Sequence, residues 1–252
     1  MAGRKTYGIK RNLSNLSLAK RAVEYIIELI YPESCIFCRE PVERNSPKRY
    51  ICRNCLDDLP ELPFDERLKE RYDEPDGCYE IPGLSIYEYR SIRDTIFRFK
   101  YDGFKRYGRI LGEIMADYVL ENDLKMILEA DMVVPVPLWK GKEKARGFNQ
   151  AALMAERFSE ITGIPYADDI IIRVRDTVPQ SSLRRHQRNA NISSAFRVID
   201  EDRVKDKKIL LLDDIYTTGS TIKECAKNFY VLGAERVMYI ALAGSEEHEE
   251  NI

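Results

Sequence analysis

Ile209-Leu210-Leu211-Leu212-Asp213-Asp214-Ile215-Tyr216-Thr217-Thr218-Gly219-Ser220-Thr221 is the stretch on which the fold turns. Four consecutive aliphatic residues read as a strand buried on both faces, as in a parallel sheet. Two carboxylates stand at its end. A short hydroxyl-rich turn with one glycine follows, and Ile222, Cys225, Ala226 and Phe229 then recur at helical spacing. This order puts the turn at the carboxyl edge of a parallel strand, where open α/β sheets bind ligands. The helix N-terminus offers backbone N–H groups and a partial positive charge to a phosphate. Thr217, Thr218, Ser220 and Thr221 add hydroxyl donors, and Gly219 lets the backbone come close. Asp213 and Asp214 are poor phosphate ligands, but they suit sugar hydroxyls and, directly or through water, Mg²⁺. The pattern describes a sugar phosphate site. The competing reading, a strand and a helix capped by Thr217 or Thr218, leaves the adjacent acids unexplained. Two like charges at the end of a buried strand would cost stability unless a ligand or metal used them. With no Gly-Lys-Ser/Thr, the stretch is not a Walker A loop.

Outward from this stretch the chain alternates between strand and helix. Met132–Leu138 is a short apolar run, Ala151, Met154, Ala155 and Phe158 mark a helix, and Ile170–Val174 is β-rich. Arg236–Ala243 reads as the last strand. Upstream, Leu84–Tyr89 reads as a strand, and Leu111, Ile114, Met115 and Tyr118 recur at helical spacing. Alternating units of this kind predict an α/β fold with a parallel sheet covered by helices. Residues 59–80 carry Pro60, Pro63, Pro75 and Gly77 among charges and read as a connector. The expected organisation is an N-terminal arm and amphipathic helix over 1–32, a small cysteine module over 33–60 and the α/β domain over 80–245.

The module is defined by Cys35-Ile-Phe-Cys38 and Cys52-Arg-Asn-Cys55, two CxxC pairs separated by thirteen residues. Each pair sets two thiolates on one side of a metal, and together they close a tetrahedron, the preferred environment of zinc. Four protein ligands leave no open position, so the ion would be structural. A module this small would draw its folding energy from the metal. Two redox dithiols are the alternative. Cys78 and Cys225 have no evident partners and read as inert.

The chain of 252 residues is 44% hydrophobic and 33% charged, with a formal net charge of -2, so no global charge excess announces nucleic acid. A basic head (Arg4, Lys5, Lys10, Arg11, Lys20, Arg21) and an acidic tail (Glu246, Glu247, Glu249, Glu250) read as solvated ends. No apolar run suits a signal peptide or a membrane span, so the expected compartment is the cytoplasm. Six cysteines in a reducing compartment point to metal or isolated thiols.

Two segments concentrate positive charge. Trp139–Gln150 holds Lys140, Lys142, Lys144 and Arg146, and residues 173–197 hold Arg173, Arg175, Arg184, Arg185, Arg188 and Arg197. Guanidinium groups suit pyrophosphate oxygens. They also suit a nucleic-acid backbone, or a solvated salt-bridged loop. Trp139 and His186 lie within these segments; packing and exposure account for them as well as any role in chemistry.

The Ile209–Thr221 stretch resembles the signature of type I phosphoribosyltransferases, which bind 5-phosphoribosyl-1-pyrophosphate (PRPP). Tyr216 stands where an aliphatic residue is usual, and with the four-cysteine head this resembles the ComF (competence protein F, amidophosphoribosyltransferase-like) family. Val133-Val134-Pro135-Val136-Pro137-Leu138, Arg146-Gly147-Phe148-Asn149-Gln150, the segment Gln180–Phe196 and Phe99-Lys100-Tyr101 resemble further family elements in the same order. The resemblance implies that Asp213 and Asp214 hold the ribose hydroxyls and Mg²⁺. It implies that Thr217, Thr218, Gly219, Ser220 and Thr221 hold the 5-phosphate. Arg184, Arg185 and Arg188 would belong to a flexible loop. Thr217 replaces the aspartate of 6-oxopurine transferases, which speaks against hypoxanthine or guanine as acceptor. Two functions stay open at this point. One is Mg²⁺-dependent phosphoribosyl transfer to an unidentified nucleophile. The other is a non-catalytic PRPP sensor or adaptor that contacts single-stranded DNA or a DNA-processing partner such as a helicase.

Overall fold

The computed structural model describes residues 34–43, 45–62, 69–74, 77–101, 105–175 and 195–244. The chain divides into two compact units, Met1–Pro60 and Glu61–Ile252. The expected helix after Ser17, Arg184, Arg185, Arg188 and His186, and the acidic tail lie outside the described residues.

In the first unit, the described residues form a turn and a short helix, α1 (Arg53–Asp58), with Cys52 at its N-cap position. Arg39 adopts φ +70° just after the first CxxC pair, and its N–H donates to the Cys35 carbonyl at 2.9 Å. The Cys35 N–H donates in turn to the Glu40 carbonyl at 2.8 Å. The chain thus folds back on itself directly after Cys38.

The second unit is built on a five-stranded sheet in the order β1-β2-β7-β6-β3. Its strands are β1 (Lys69–Glu74), β2 (Gly77–Glu88), β3 (Met132–Pro135), β6 (Lys208–Tyr216) and β7 (Arg236–Gly244). β2, β7, β6 and β3 are mutually parallel. The expected connector over 59–80 instead supplies β1 and the start of β2, and β1 closes the sheet as an antiparallel edge. β2 changes partner midway: residues up to Pro82 pair with β1, and Gly83 onward pairs with β7. Pro82 has no N–H for a ladder, and a Cβ at 83 would collide with the ring and carbonyl of Tyr239.

Helix α2 (Tyr89–Tyr101) follows β2, then α3 (Lys105–Glu121) and the single turn α4 (Lys125–Leu128). After β3 come α5 (Lys140–Arg146) and α6 (Gln150–Thr162), and α7 (Ser220–Val231) joins β6 to β7. The side chains of Ile209, Leu211, Val237, Tyr239 and Ala241 share one core with Ile222, Cys225, Ala226 and Phe229 of α7. Alternation along a strand sends Leu210, Leu212, Met238 and Ile240 to the opposite face. There α6 packs on β3 and β6, and α3 packs on α6. Of these nine residues of β6 and β7 all but Tyr239 are fully buried, the reason an uninterrupted apolar run was needed.

The β-rich run Ile170–Val174 does not enter the parallel sheet. It forms β4 (Ile171–Arg173), paired antiparallel with β5 (Phe196–Val198) in a separate two-stranded ribbon. Phe196 and Val198 face the same core as α7, so the ribbon is apolar for burial while its pairing is local. Period and composition alone do not distinguish these two uses of a short apolar strand.

Candidate sugar phosphate site and metal centre

The geometry of the site follows from the unequal lengths of three strands. Pairing of β3 with β6 stops at Pro135↔Leu212, while pairing of β6 with β7 continues through Tyr216↔Gly244. Asp213 and Asp214 therefore emerge where β6 has lost one neighbour. The carboxylates stand within the strand rather than after it, two residues short of its end. Asp214 is buried at 8% exposure and Asp213 is half-buried. The backbone N–H of Asp214 donates to Asp213 Oδ1 at 2.8 Å, which holds the Asp213 carboxyl against the backbone of its neighbour.

The structure adds a partner that pattern reading did not assign. Lys100 Nζ, near the end of α2, lies 2.8 Å from Asp214 Oδ2, and both side chains are largely withdrawn from water. The pair expected to repel is thus half compensated: among the described residues Asp214 has an ion-pair partner, and none is found for Asp213. Burial, with the Asp214 charge beside it, pushes the Asp213 carboxyl up to about 8, against the lowering pull of the Asp214 N–H and of Lys100. Lys100 belongs to the Phe99-Lys100-Tyr101 element, so its presence was legible while its target, more than a hundred residues away, was not.

Beyond Tyr216 the chain enters the turn. Thr217 and Thr218 are exposed, Ser220 and Thr221 half-buried. Thr218 Oγ1 and Ser220 Oγ lie 3.0 Å apart. Neither threonine caps α7. The cap position is Gly219, at φ +68°, with no side-chain cap. A helix start of this kind keeps its N–H groups and positive pole available to an anion. Tyr216 explains why residue 219 must be glycine twice over. Its ring is buried, stacked on Tyr239 at 4.5 Å and 12°, and a Cβ at 219 would strike its hydroxyl. The left-handed backbone at 219 makes the same demand independently. Cys225, below the loop on α7, is fully buried, and burial pushes its thiol well above the ordinary range, which leaves it inert.

The basic segment after β3 forms α5, which ends in a left-handed Gly147. Arg146 donates to Gln150 Oε1 at 3.0 Å, and its guanidinium lies 5.4 Å from the ring of Tyr101. Trp139, half-buried at the start of α5, packs against Gly141.

In the first unit Cys35, Cys38, Cys52 and Cys55 come together. Their sulfur atoms all lie within 4.8 Å of one another, with Cys38 and Cys52 at 3.5 Å. Tetrahedral zinc thiolates, with Zn–S near ~2.3 Å, place sulfurs roughly 3.8 Å apart, so the cluster is of the right size and donor type for such an ion. The cluster is the metal-capable group found among the described residues. Burial raises the Cys55 and Cys38 thiols, with neighbouring thiols adding to the rise at Cys55. At Cys35 the effect of burial is outweighed by N–H groups of Cys52, Cys38 and Phe37, and the thiol is lowered.

Fold and site together define a phosphoribosyltransferase-like domain behind a four-cysteine module. Residues 144–252 match the family model of the phosphoribosyl transferase domain. The chain is 31% identical over 152 residues to competence protein F of Haemophilus influenzae, covering 59% of this chain and 66% of that protein. It is 34% identical over 169 residues to competence protein ComFC of Streptococcus pneumoniae, covering 66% of this chain and 70% of that one. It is 36% identical over 107 residues to the DNA utilization protein YhgH of Salmonella typhi, covering 42% and spanning 46% of that protein. The chain belongs to the ComF family of the phosphoribosyltransferase superfamily. Among the described residues no helix is long and apolar enough to cross a membrane.

The unequal treatment of the two acids gives an expected outcome. Asp213→Asn removes an uncompensated carboxyl whose native-state value is raised, so it should stabilise the ligand-free protein at high pH. The stabilisation that the wild type draws from a protonated Asp213 is full below about pH 4, declines as pH rises, and is lost once pH passes about 8. The melting-temperature gap between Asp213→Asn and wild type should therefore widen from pH 5.5 to pH 8.5. Asp214→Asn should instead destabilise by on the order of 2–4 kcal/mol, because it strands a lysine largely withdrawn from water. Equal effects of the two substitutions at pH 8.5 would contradict this account.

Proposed function

We propose that this protein binds PRPP at the β6–α7 loop and, with Mg²⁺, transfers its phosphoribosyl group to an acceptor nucleophile in a process linked to DNA uptake or processing. The observation that carries the reading is the adjacency of an acid pair to a helix start whose cap is a left-handed glycine. In this reading Thr217, Thr218, Gly219, Ser220 and Thr221 hold the 5-phosphate by hydroxyl and N–H donors. Asp213 and Asp214 accept hydrogen bonds from the ribose hydroxyls, and their negative charge favours Mg²⁺ nearby, directly or through water. When bound, Mg²⁺ would neutralise charge on the pyrophosphate. The acceptor attacks C1 of the ribose from the face opposite the pyrophosphate. The C1–O bond breaks, its electron pair leaves with pyrophosphate, and the configuration inverts. Arg184, Arg185 and Arg188 would close over the leaving group, where fixed positive charge counts most as negative charge builds. The link to DNA rests on the names of the relatives, competence protein F and DNA utilization protein.

A thermal-shift titration with PRPP and Mg²⁺ tests the reading. The wild type should be stabilised in proportion to ligand affinity. Thr218→Val should weaken binding by about tenfold, since one phosphate oxygen loses its donor. A pyrophosphate-release screen over bases and amines then separates transfer from binding alone. No shift at millimolar PRPP would overturn the assignment.

We assign zinc to the four cysteines, an ion that suits a closed thiolate set in the reducing cytoplasm. Elemental analysis of freshly purified, reduced protein should find one zinc per chain. Less than about 0.2 equivalents would sink the assignment, and Cys35→Ser should lower soluble yield.

A second reading, a non-catalytic PRPP-responsive adaptor that contacts single-stranded DNA and DNA-processing proteins such as a helicase, is favoured by one surface. Phe97 and Tyr101 are the exposed aromatic side chains among the described residues, at 58% and 62%, with rings 4.8 Å apart on the outer face of α2. Arg146 covers Tyr101, and Arg93 lies one turn before Phe97. Paired aromatics among cations suit unstacked bases and a phosphate backbone. Phe97→Ala with Tyr101→Ala should weaken binding of a single-stranded oligonucleotide by about tenfold while leaving its salt slope unchanged. Absence of binding at low salt would remove DNA from the partners of this domain.

A further inference from the structure

Lys100 reaches the acid pair from a different element than the loop it serves. Its position is set by its helix: Ile92, Ile96 and Phe99 are buried, and Phe99 stacks on Phe148 at 5.6 Å. The flanking Tyr101 lies beneath Arg146. The ammonium is thus delivered to Asp214 Oδ2 at 2.8 Å by a well-packed helix end, with 17% of the lysine side chain and 12% of the aspartate side chain exposed. Asp214 is tied to Asp213 through its own N–H, so the lysine, Asp214 and Asp213 form one compact corner at the edge of β6.

A lysine ammonium is a compact point charge. At hydrogen-bonding distance it fills the space that a cation bound to Asp214 Oδ2 would need, and it repels a second cation from the rest of the pair. We propose that Lys100 is the built-in counter-ion of the acid pair, standing where a divalent cation would otherwise sit, so that Asp213 and Asp214 receive the ribose hydroxyls without a metal bound directly to them. This rests on the PRPP reading of the loop for the identity of the sugar, but not for the competition between lysine and metal. Lys100 is a positioning residue in this scheme: it keeps Asp214 charged and oriented as an acceptor, and a divalent cation enters on the pyrophosphate of the ligand.

A purely structural role, in which Lys100 pins α2 to β6, predicts only lost stability on substitution. The counter-ion role predicts that a metal repairs the loss. Full-length wild type, Lys100→Met, Lys100→Arg and the double variant Lys100→Met with Asp214→Asn are titrated with Mn²⁺ alone, followed by calorimetry and by melting temperature. The wild type should bind Mn²⁺ weakly. Lys100→Met should gain one site at least about tenfold tighter and be stabilised by Mn²⁺, and the double variant should lose that gain. Lys100→Arg, which keeps the charge, should behave as the wild type. Ribose 5-phosphate, which lacks the pyrophosphate, should bind the wild type equally in EDTA and in Mn²⁺, whereas Lys100→Met should need the metal. Mn²⁺ affinity of Lys100→Met within twofold of wild type would overturn the proposal, as would metal-dependent binding of ribose 5-phosphate to the wild type. If Lys100→Met does not fold, that last comparison decides alone. Failure of the wild type to bind either sugar phosphate would count against the PRPP reading, while the Mn²⁺ titrations would still decide the role of Lys100.

Discussion

β6 is bonded along both edges and covered on both faces through Leu212, and nearly everything else in the domain follows from that enclosure. Ile209, Leu210, Leu211 and Leu212 are each fully buried. No charge is tolerable there without a partner. The first polar residues can appear only where β3 stops, at Pro135↔Leu212, and β7 alone continues beside the strand. The acid pair is thus presented by a difference in strand length. The same enclosure makes the corner rigid, since β7 still holds Asp213 through its pairing with Ala241.

Much of this was readable from residue patterns because the responsible forces are local. A four-residue aliphatic run demands burial on both faces, helical spacing after Gly219 demands α7, and two CxxC pairs point to one metal-capable cluster. The four thiols do assemble within 4.8 Å, and the strand, turn and helix follow in the expected order. Long-range pairings were not readable. Lys100 is an ordinary basic residue near a helix end until the fold carries it to Asp214. The expectation of two mutually repelling acids holds for Asp213, which the Asp214 charge helps to raise, while Lys100 relieves Asp214. Lys69–Glu74 and the start of β2 were hidden for a different reason: prolines and charges there mimic a connector, whereas an edge strand tolerates both. Ile171–Arg173 was legible as a strand but not as part of a separate ribbon, because burial by α7 and burial in the main sheet impose the same composition.

Tyr216 illustrates how a departure from a motif can be absorbed. An aromatic ring replaces an aliphatic side chain in the middle of the loop, yet it turns inward and stacks on Tyr239. The hydroxyl then sits beneath Gly219, and the loop is supported from below by a phenol rather than by a methyl group. Thr217 and Thr218, which carry the hydroxyls of the turn, remain exposed. The substitution changes the floor of the site and leaves its rim in place.

The antiparallel edge strand β1 has a consequence for the molecule in concentrated solution. A parallel sheet ending at β2 would expose a long row of backbone donors and acceptors, open to pairing with the edge of another molecule. β1 takes up the first half of that row. Five of its own six residues, Lys69, Glu70, Arg71, Asp73 and Glu74, are charged, and Asp73 and Glu74 close the strand with like charges. Charged sequence of this kind is what sheet edges use against continued pairing. At the other edge β3 is four residues long and ends at Pro135, too short to template an addition. The two outermost strands thus carry the features that oppose edge-to-edge pairing, charge in the sequence of one and shortness in the other.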